Sequence, residues 1–439
     1  MRFVVFILAL FLFVCAVRAQ WDDDPDEDPD DPEEDPPWRP TSTRRRPTST
    51  RRPTQTRRPT PTQQPTPTRR PTPTRAPTPT PTPEDPEDPP EPIFTGVDTF
   101  ANATMYQPDD TAHHLTSPRT ENMPNNTVLA VWNDLEQINS TLPIYRSTNN
   151  GFSWYAHGTA KSKVAGRRLL EPHLLLAEGS FSGDTNMTLL AVNAVDAKST
   201  NIELYASWDQ GVTFEFVHCV AEGGAVGAKA VGEPHLLLHD KRLTVYYSDQ
   251  RDGQHAQKIS QQSAADMWDG WGTAIDVAAS STLSDQQGMA SVAKLPNKQY
   301  LIAFESSPSN GTNSASITNF KITASPENAA TERIRDIVST TGVKPQGASF
   351  VTWSLIGGAN GTIILSDSVT NSIFVNQALG EGPWKVVATT AGRALGREVR
   401  APANDRRALR ITGGSEGKTT SADILVSSMD LEKALLAAA

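Results

Sequence analysis

Two cysteines in 439 residues leave almost nothing for a disulfide framework. Cys15 falls inside the N-terminal apolar run, so Cys219 stands alone in the rest of the chain. A lone thiol in an oxidising compartment reads as a buried bystander rather than a nucleophile. No apolar stretch reaches the roughly 18 residues a membrane-spanning helix needs, which excludes a span. Basic charge is also short. Forty Lys and Arg against 50 Asp and Glu give a net charge of −10, and without a basic patch in the folded part a nucleic-acid partner is excluded. Metal-ligand spacing of His and Cys is absent too, so neither a metal nor another cofactor is expected. Hydrophobic residues make up 37%, below the roughly 45–50% of ordinary globular chains. The shortage is concentrated in residues 20–92, which hold most of the 34 prolines and almost no aliphatic side chains. That stretch cannot build a core.

What is present divides the chain in three. Arg2, the apolar run Phe3 to Val17 and the small cleavage-type residues up to Ala19 predict a secretory signal peptide over 1–19. Residues 20–92 predict a disordered stalk. An acidic block from Asp22 to Asp35 is followed by Arg-Arg-Pro-Thr and Pro-Thr-Pro-Thr units, a composition of extended, mucin-like segments. Its arginines read as compensation for the acidic block in a spacer; the alternative use is contact with an acidic wall polysaccharide. Asn-x-Ser/Thr sequons at Asn102, Asn125, Asn139, Asn186, Asn310 and Asn360 predict surface loops of a secreted, glycosylated domain. Residues 93–439 are long enough for one large core, in a protein expected to be monomeric.

In that folded part, repeats carry the information. Ser147-Thr148-Asn149-Asn150-Gly151-Phe152-Ser153-Trp154 matches Ser207-Trp208-Asp209-Gln210-Gly211-Val212-Thr213-Phe214 sixty residues on. Asp or Asn with Gly suits a tight turn between strands, and the aromatic anchors the next strand. The pattern resembles the Asp-box of sialidase-type propellers. Glu171-Pro172-His173-Leu174-Leu175-Leu176 recurs as Glu233-Pro234-His235-Leu236-Leu237-Leu238, and weaker copies of this strand start fall at Arg119, Met289, Ala348 and Arg400. Each is followed by a second β-rich run. Six units of about four strands predict an all-β, six-bladed β-propeller, with Phe94–Met105 supplying the outer strand of the blade completed by Ile424–Ser428. A solenoid is the rival, but it needs polar caps that neither end of this region has.

The six strand starts should ring one mouth of a central channel. Carboxylates there, Glu171 and Glu233, with Glu305 at the end of Tyr300–Phe304, suggest glycoside hydrolysis. That reaction needs one acid to protonate the leaving oxygen and another carboxylate to attack or activate water.

The run from Gly232-Glu233-Pro234-His235 through Tyr246-Tyr247-Ser248-Asp249-Gln250-Arg251-Asp252, with Gly288-Met289-Ala290-Ser291 and Phe304-Glu305, resembles the exo-arabinanases of glycoside hydrolase family 93. The resemblance is close over residues 231–305. It implies a propeller of the sialidase clan that clips arabinobiose from linear α-1,5-L-arabinan with retention. By motif, Glu233 and Glu305 match the two catalytic carboxylates, with Glu233 taken as acid/base and Glu305 as nucleophile. Asp249, Arg251, Tyr247, Arg119, Glu171, Arg400 and Met289 are the candidate substrate-binding residues; Asp249 and Arg251 could equally form a salt bridge that locks a blade loop. Where the pattern calls for Arg-Pro-Gly-Met the chain has Gln286-Gln287-Gly288-Met289, so a site arginine is missing. Two alternatives remain: a sialidase, which needs an arginine cluster for the substrate carboxylate, and a non-catalytic propeller that binds glycan or protein.

Overall fold

The computed structural model describes residues 97–438, apart from 111–112, 137–139, 309–315, 403–404 and 414–422. The signal peptide, the stalk and the sequons at Asn139 and Asn310 lie outside the described residues. Short β-rich runs separated by Gly, Asn and Asp turns form twenty-four strands. The first group is β2 (Leu115–Asn122), β3 (Val128–Asp134), β4 (Thr141–Ser147) and β5 (Tyr155–Lys161). The second is β6 (Arg168–Phe181), β7 (Asp184–Val195), β8 (Thr200–Ser207) and β9 (Thr213–Gly223). Next come β10 (Val231–His239), β11 (Arg242–Asp249), β12 (Lys258–Ala264) and β13 (Ile275–Ala278), then β14 (Gln286–Lys294), β15 (Tyr300–Ser307), β16 (Ile317–Thr323) and β17 (Arg335–Asp336). β18 (Phe350–Ser354), β19 (Thr362–Ser366), β20 (Ser372–Asn376) and β21 (Lys385–Ala388) follow. The last group joins both ends of the described chain: β22 (Glu398–Arg400), β23 (Ala408–Gly413) and β24 (Ile424–Asp430) are completed by β1 (Phe100–Tyr106).

Within each group the strands run antiparallel in chain order, and a short parallel pairing of Thr159 with Thr213 and Ala160 with Phe214 joins the first two groups into one eight-stranded sheet. The predicted closure is present, with Ala103 opposite Val426 in the β1–β24 ladder. The first strands pack in a cycle, β2 on β6, β6 on β10, β10 on β14, β14 on β18, β18 on β22 and β22 back on β2. Hydrophobic clusters follow the same cycle. Leu129, Val131, Leu174 and Leu190 meet between the first two groups, and Trp132, Leu115, Ile424 and Val426 close the last gap. The arrangement is propeller-like.

Because each sheet is covered on both faces by its neighbours, the middle strands are apolar on both sides. β11 is buried from Leu243 to Asp249, and Tyr246 and Tyr247 point into different clusters. Strand alternation alone suggested that one of the two tyrosines would be free for a sugar; packing on both faces leaves neither. A short helix, Leu431–Ala437, capped by the Asp430 side chain, ends the described chain and was not foreseen. No helix among the described residues is long and apolar enough to cross a membrane.

The two repeated turns are built alike. Ser147 Oγ accepts from Gly151 N at 2.9 Å and Asn149 Oδ1 from Ser153 N at 2.9 Å. In the second turn Ser207 Oγ accepts from Gly211 N at 2.8 Å and Asp209 Oδ1 from Thr213 N at 2.9 Å. Gly211 sits at φ +92°, and a Cβ there would lie 2.6 Å from Leu129 Cδ1 of the first group. Gly211→Ala therefore combines left-handed strain of about 1–2 kcal/mol with overpacking of about 1–3 kcal/mol. Gly227, at φ +78° with nothing within 4 Å of its missing Cβ, supplies the control. In urea unfolding Gly211→Ala should lose clearly more stability than Gly227→Ala; equal losses would show that the turn does not press on its neighbour.

Candidate active site

Four first strands carry the same defect near their start. The ladder slips between Thr116 and Arg119, Leu170 and His173, Gly232 and His235, and Gly288 and Ser291. In each slip one non-glycine residue takes a left-handed backbone: Ser117 (φ 49°), Glu171 (51°), Glu233 (56°) and Met289 (53°). Such a residue costs of order 1–3 kcal/mol and persists only where its surroundings hold it. Ser117 N donates to the Leu395 carbonyl at 3.1 Å; for the other three the hold is a side chain of the preceding group. Glu171 N donates to Asn133 Oδ1 at 3.3 Å, Glu233 N to Glu171 Oε2 at 2.7 Å, and Met289 N to Glu233 Oε2 at 2.8 Å. The prolines at 118, 172 and 234 fall where the bulge leaves the chain unpaired, so their missing N–H costs no ladder bond.

This alignment corrects one register. Arg119 was placed level with Glu171 and Glu233, but Ser117 occupies that level and Arg119 is level with His173 and His235. The two-residue offset arises because Ser117-Pro118 is the first-group counterpart of Glu-Pro. Arg119 nevertheless reaches the cavity.

The bulges border a concavity whose lining includes Arg119, Glu171, Glu233, Met289, Ser291 and Phe350. Glu233 Oε2 accepts from Ser248 Oγ at 2.5 Å as well as from the Met289 amide. Glu305 lies opposite Gly288 in the β14–β15 ladder and is buried, with Ser316 Oγ donating at 3.3 Å. A Cβ on Gly288 would stand 2.9 Å from Glu233 Oε2, so only glycine lets the Glu233 carboxyl pass between β10 and β14 toward the Glu305 strand. Gly232 does the same one group earlier, 3.0 Å from Glu171 Oε2.

Burial sets the protonation of these groups. Desolvation, then the charges of Glu171 and Glu305, push the Glu233 carboxyl up to about 8, against the pull of its bonds from Ser248 and Met289. Burial raises Glu305 to about 7 and also raises Glu171. Beside them His235 is pulled down to about 3 by burial and by the Arg119 and Arg400 charges, and His173 is lowered likewise. Both rings are neutral acceptors: Val292 N donates to His235 Nε2 at 3.1 Å and Leu236 N to His173 Nδ1 at 3.3 Å, with ring centroids 4.0 Å apart. Among the described residues no group of three or more His, Cys, Asp or Glu side chains is placed to hold a metal ion.

The other candidates lie elsewhere. Asp249 accepts from the Arg251 backbone, Nε and Nη2 and from Ser260, and Arg251 Nη2 also donates to Tyr247 Oη at 2.9 Å. The three form a buried lock at the end of β11 and do not line the cavity. Arg400 was expected at the mouth, but it is held by Glu121 at 3.0 Å and Glu398 at 3.1 Å. A buried guanidinium needs such partners, and they turn it away from the cavity lining. Arg119 donates to the Pro118 and Gly396 carbonyls and lies 4.9 Å over the Phe350 ring. Cys219 is half-buried, its thiol raised to about 11 chiefly by burial, so it is no nucleophile. Sequence reasoning passed over Ser248, Gly288, Gly232 and Asn193; proline inside a strand run, and glycine just before Glu233 and Met289, were the available signals of a bulge.

Glu233 brings a carboxyl held protonated near neutrality to the cavity, and Glu305 is buried on the strand paired with Gly288. No protein-family model matches the chain, and no curated protein matches it in sequence. Solved structures do. The Penicillium chrysogenum α-L-arabinanase, determined with arabinobiose, is 32% identical with a TM-score of 0.73, over 77% of this chain and 99% of that one. The chain belongs to glycoside hydrolase family 93. The family 93 α-L-arabinofuranosidase of Fusarium graminearum, also determined with arabinobiose, is 29% identical with a TM-score of 0.72 and the same coverage. It has further been solved with an iminosugar inhibitor. The chain is thus a glycoside hydrolase.

The raised carboxyls make stability fall with pH. The folded chain keeps protons that the unfolded chain releases above about 4.5, so stability is fullest below that value and is lost as pH rises towards about 8, where Glu233 titrates in the folded state. Calorimetry across that window should show the melting temperature of wild type falling, and the fall should be shallower in Glu233→Gln. Parallel curves for the two proteins would place the titration elsewhere.

Proposed function

We propose that this family 93 enzyme is a secreted, monomeric six-bladed β-propeller that releases arabinobiose from the end of linear α-1,5-L-arabinan with retention of configuration. The observation that carries the reading is the placement of Glu233 and Glu305 on either side of Gly288, both buried and both titrating upward. Protonated Glu233 donates to the departing glycosidic oxygen while ionised Glu305 attacks the anomeric carbon. Glu233, now a carboxylate, takes a proton from the water that opens the glycosyl-enzyme. For this the carboxyl groups need to stand about 5–5.5 Å apart when substrate is bound. The iminosugar on the Fusarium enzyme supports an oxocarbenium-like transition state facing carboxylates. Arabinobiose on both relatives supports the substrate class. The leader-like residues 1–19 support secretion, and the cyclic packing of first strands supports six blades.

The sialidase alternative loses ground because Arg400 is consumed by Glu121 and Glu398, which leaves Arg119 as the guanidinium of the lining. A purely binding propeller would have no use for a desolvated acid pair. Purified enzyme incubated with linear arabinan should release arabinobiose of retained configuration by NMR, and a sialyl substrate should remain intact. Glu233→Gln and Glu305→Gln should each lower turnover by roughly 10²–10⁴ with an unchanged fold. Release of an inverted product would overturn retention, and full activity of either variant would overturn the assignment of the pair.

A further inference from the structure

Glu171 carries the same hexapeptide as Glu233 and lines the same cavity, yet the two-carboxylate reaction leaves it without a part. Its Oε2 accepts from Glu233 N at 2.7 Å and from Asn193 Nδ2 at 3.0 Å. Gly232 opens the path for it, since a Cβ there would meet that oxygen at 3.0 Å. Glu171 therefore grips the backbone of the residue that the proposed reaction uses as acid, at the point where that backbone is left-handed. Among the described residues Glu305 has no such clamp; its ladder partner is glycine and its side chain accepts from Ser316.

We propose that Glu171 is a positioning residue: its carboxylate clamps the Glu233 N–H, fixes the Glu233 side chain between Ser248 and the Met289 amide, and commits Glu233 rather than Glu305 to the acid/base role. This rests on the reading of Glu233 and Glu305 as the reacting pair. Two effects follow from one contact. The hydrogen bond holds the bulge, and a negative charge against the Glu233 backbone disfavours ionisation of the Glu233 side chain.

The charged and titratable groups around Glu233 are Glu171, His173 and Arg168 of β6, Arg119 of β2, His235 of β10 itself, Glu305 of β15, Asp249 of β11 and Glu203 of β8. Arg168 is tied to the Leu135 carbonyl, Asp249 to Arg251, and Glu203 to Arg167 and Tyr205. β7 offers neutral Asn193, and β14 lines the cavity with neutral Met289, Ala290 and Ser291. The histidines are neutral, which leaves Glu171 and Glu305 as the negative neighbours and Arg119 as the positive one.

Glu171→Gln keeps an oxygen for the clamp and removes the charge; Glu171→Ala removes both. The carboxylic-acid infrared band that disappears in Glu233→Gln identifies Glu233, and its titration can be followed in the whole protein without substrate. In Glu171→Gln its midpoint should fall by about one pH unit or more. The basic limb of kcat/KM on linear arabinan should move down by the same amount, while the acidic limb stays. Glu171→Ala should in addition lower kcat roughly tenfold below the Gln variant at every pH, with thermal midpoints showing both variants folded. An infrared midpoint unmoved in Glu171→Gln overturns the charge role, and equal kcat for the Ala and Gln variants overturns the clamp. If the midpoint moves but wild type releases no sugar from arabinan, the substrate reading fails and the positioning role stands.

Discussion

A carboxylate of one sheet accepting the backbone N–H of the next is the contact on which the site depends. Glu171 does this for Glu233, and Glu233 does it for Met289. Each bond supports a left-handed residue that would otherwise relax into a regular strand. Each also joins adjacent sheets at their channel edge, where the apolar clusters between sheets no longer reach. Glu233 is therefore a structural residue of the following sheet. The same side chain satisfies a buried N–H and presents a carboxyl to the cavity.

That double duty explains why the site tolerates so much buried acidity. An unpaired buried carboxylate costs several kcal/mol, and here Glu171 and Glu233 line one cavity with Glu305 buried close enough to act on Glu233. Two devices reduce the cost. Backbone and hydroxyl donors converge on Glu233 Oε2 and Glu171 Oε2, and protonation removes part of the charge near neutrality. What remains is a pair poised between ionised and neutral forms, the condition a glycosidase acid needs. The neutral histidines 173 and 235 fit the same logic. Packed ring against ring and accepting from backbone N–H groups, they fill the space below the acids without adding a charge that would fix them as carboxylates.

Much of this was legible in the sequence. The 60-residue turn repeat and the Glu-Pro-His-Leu-Leu-Leu repeat placed strands and closure by the N-terminal strand, because each unit solves the same packing problem with the same residues. The failures share a cause. Arg119 was set two residues out of register because a bulge adds a residue to one strand without changing its apolar pattern. Tyr247 read as a site residue because it sits in the most distinctive run, but that run forms the lock that the sequence had left open for Asp249 and Arg251. Arg400 was set at the mouth by spacing, which carries no information about Glu121, 279 residues away in the chain and its partner in space.

The Gln286-Gln287 departure can be weighed against this geometry. Gln287 is buried opposite Ser306, and its carbonyl accepts from Gln257 Nε2 at 2.9 Å; Gln257 Oε1 in turn accepts from Gln250 Nε2 at 2.9 Å. A string of neutral amides thus braces the strand start that an Arg-Pro pair would otherwise occupy, immediately before Gly288. An arginine at 286 would have stood opposite Ser307, two residues before Gly288, and its charge would have favoured the ionised form of Glu305. With amides in its place, no cation offsets burial, and Glu305 rises to about 7, with burial as the first cause. The glycine that lets the two glutamates approach is kept while the charge beside it is not. The departure therefore changes the electrostatic setting of Glu305 and leaves its position alone. Its consequence belongs to the pH at which Glu305 becomes a carboxylate, and not to whether the pair can form.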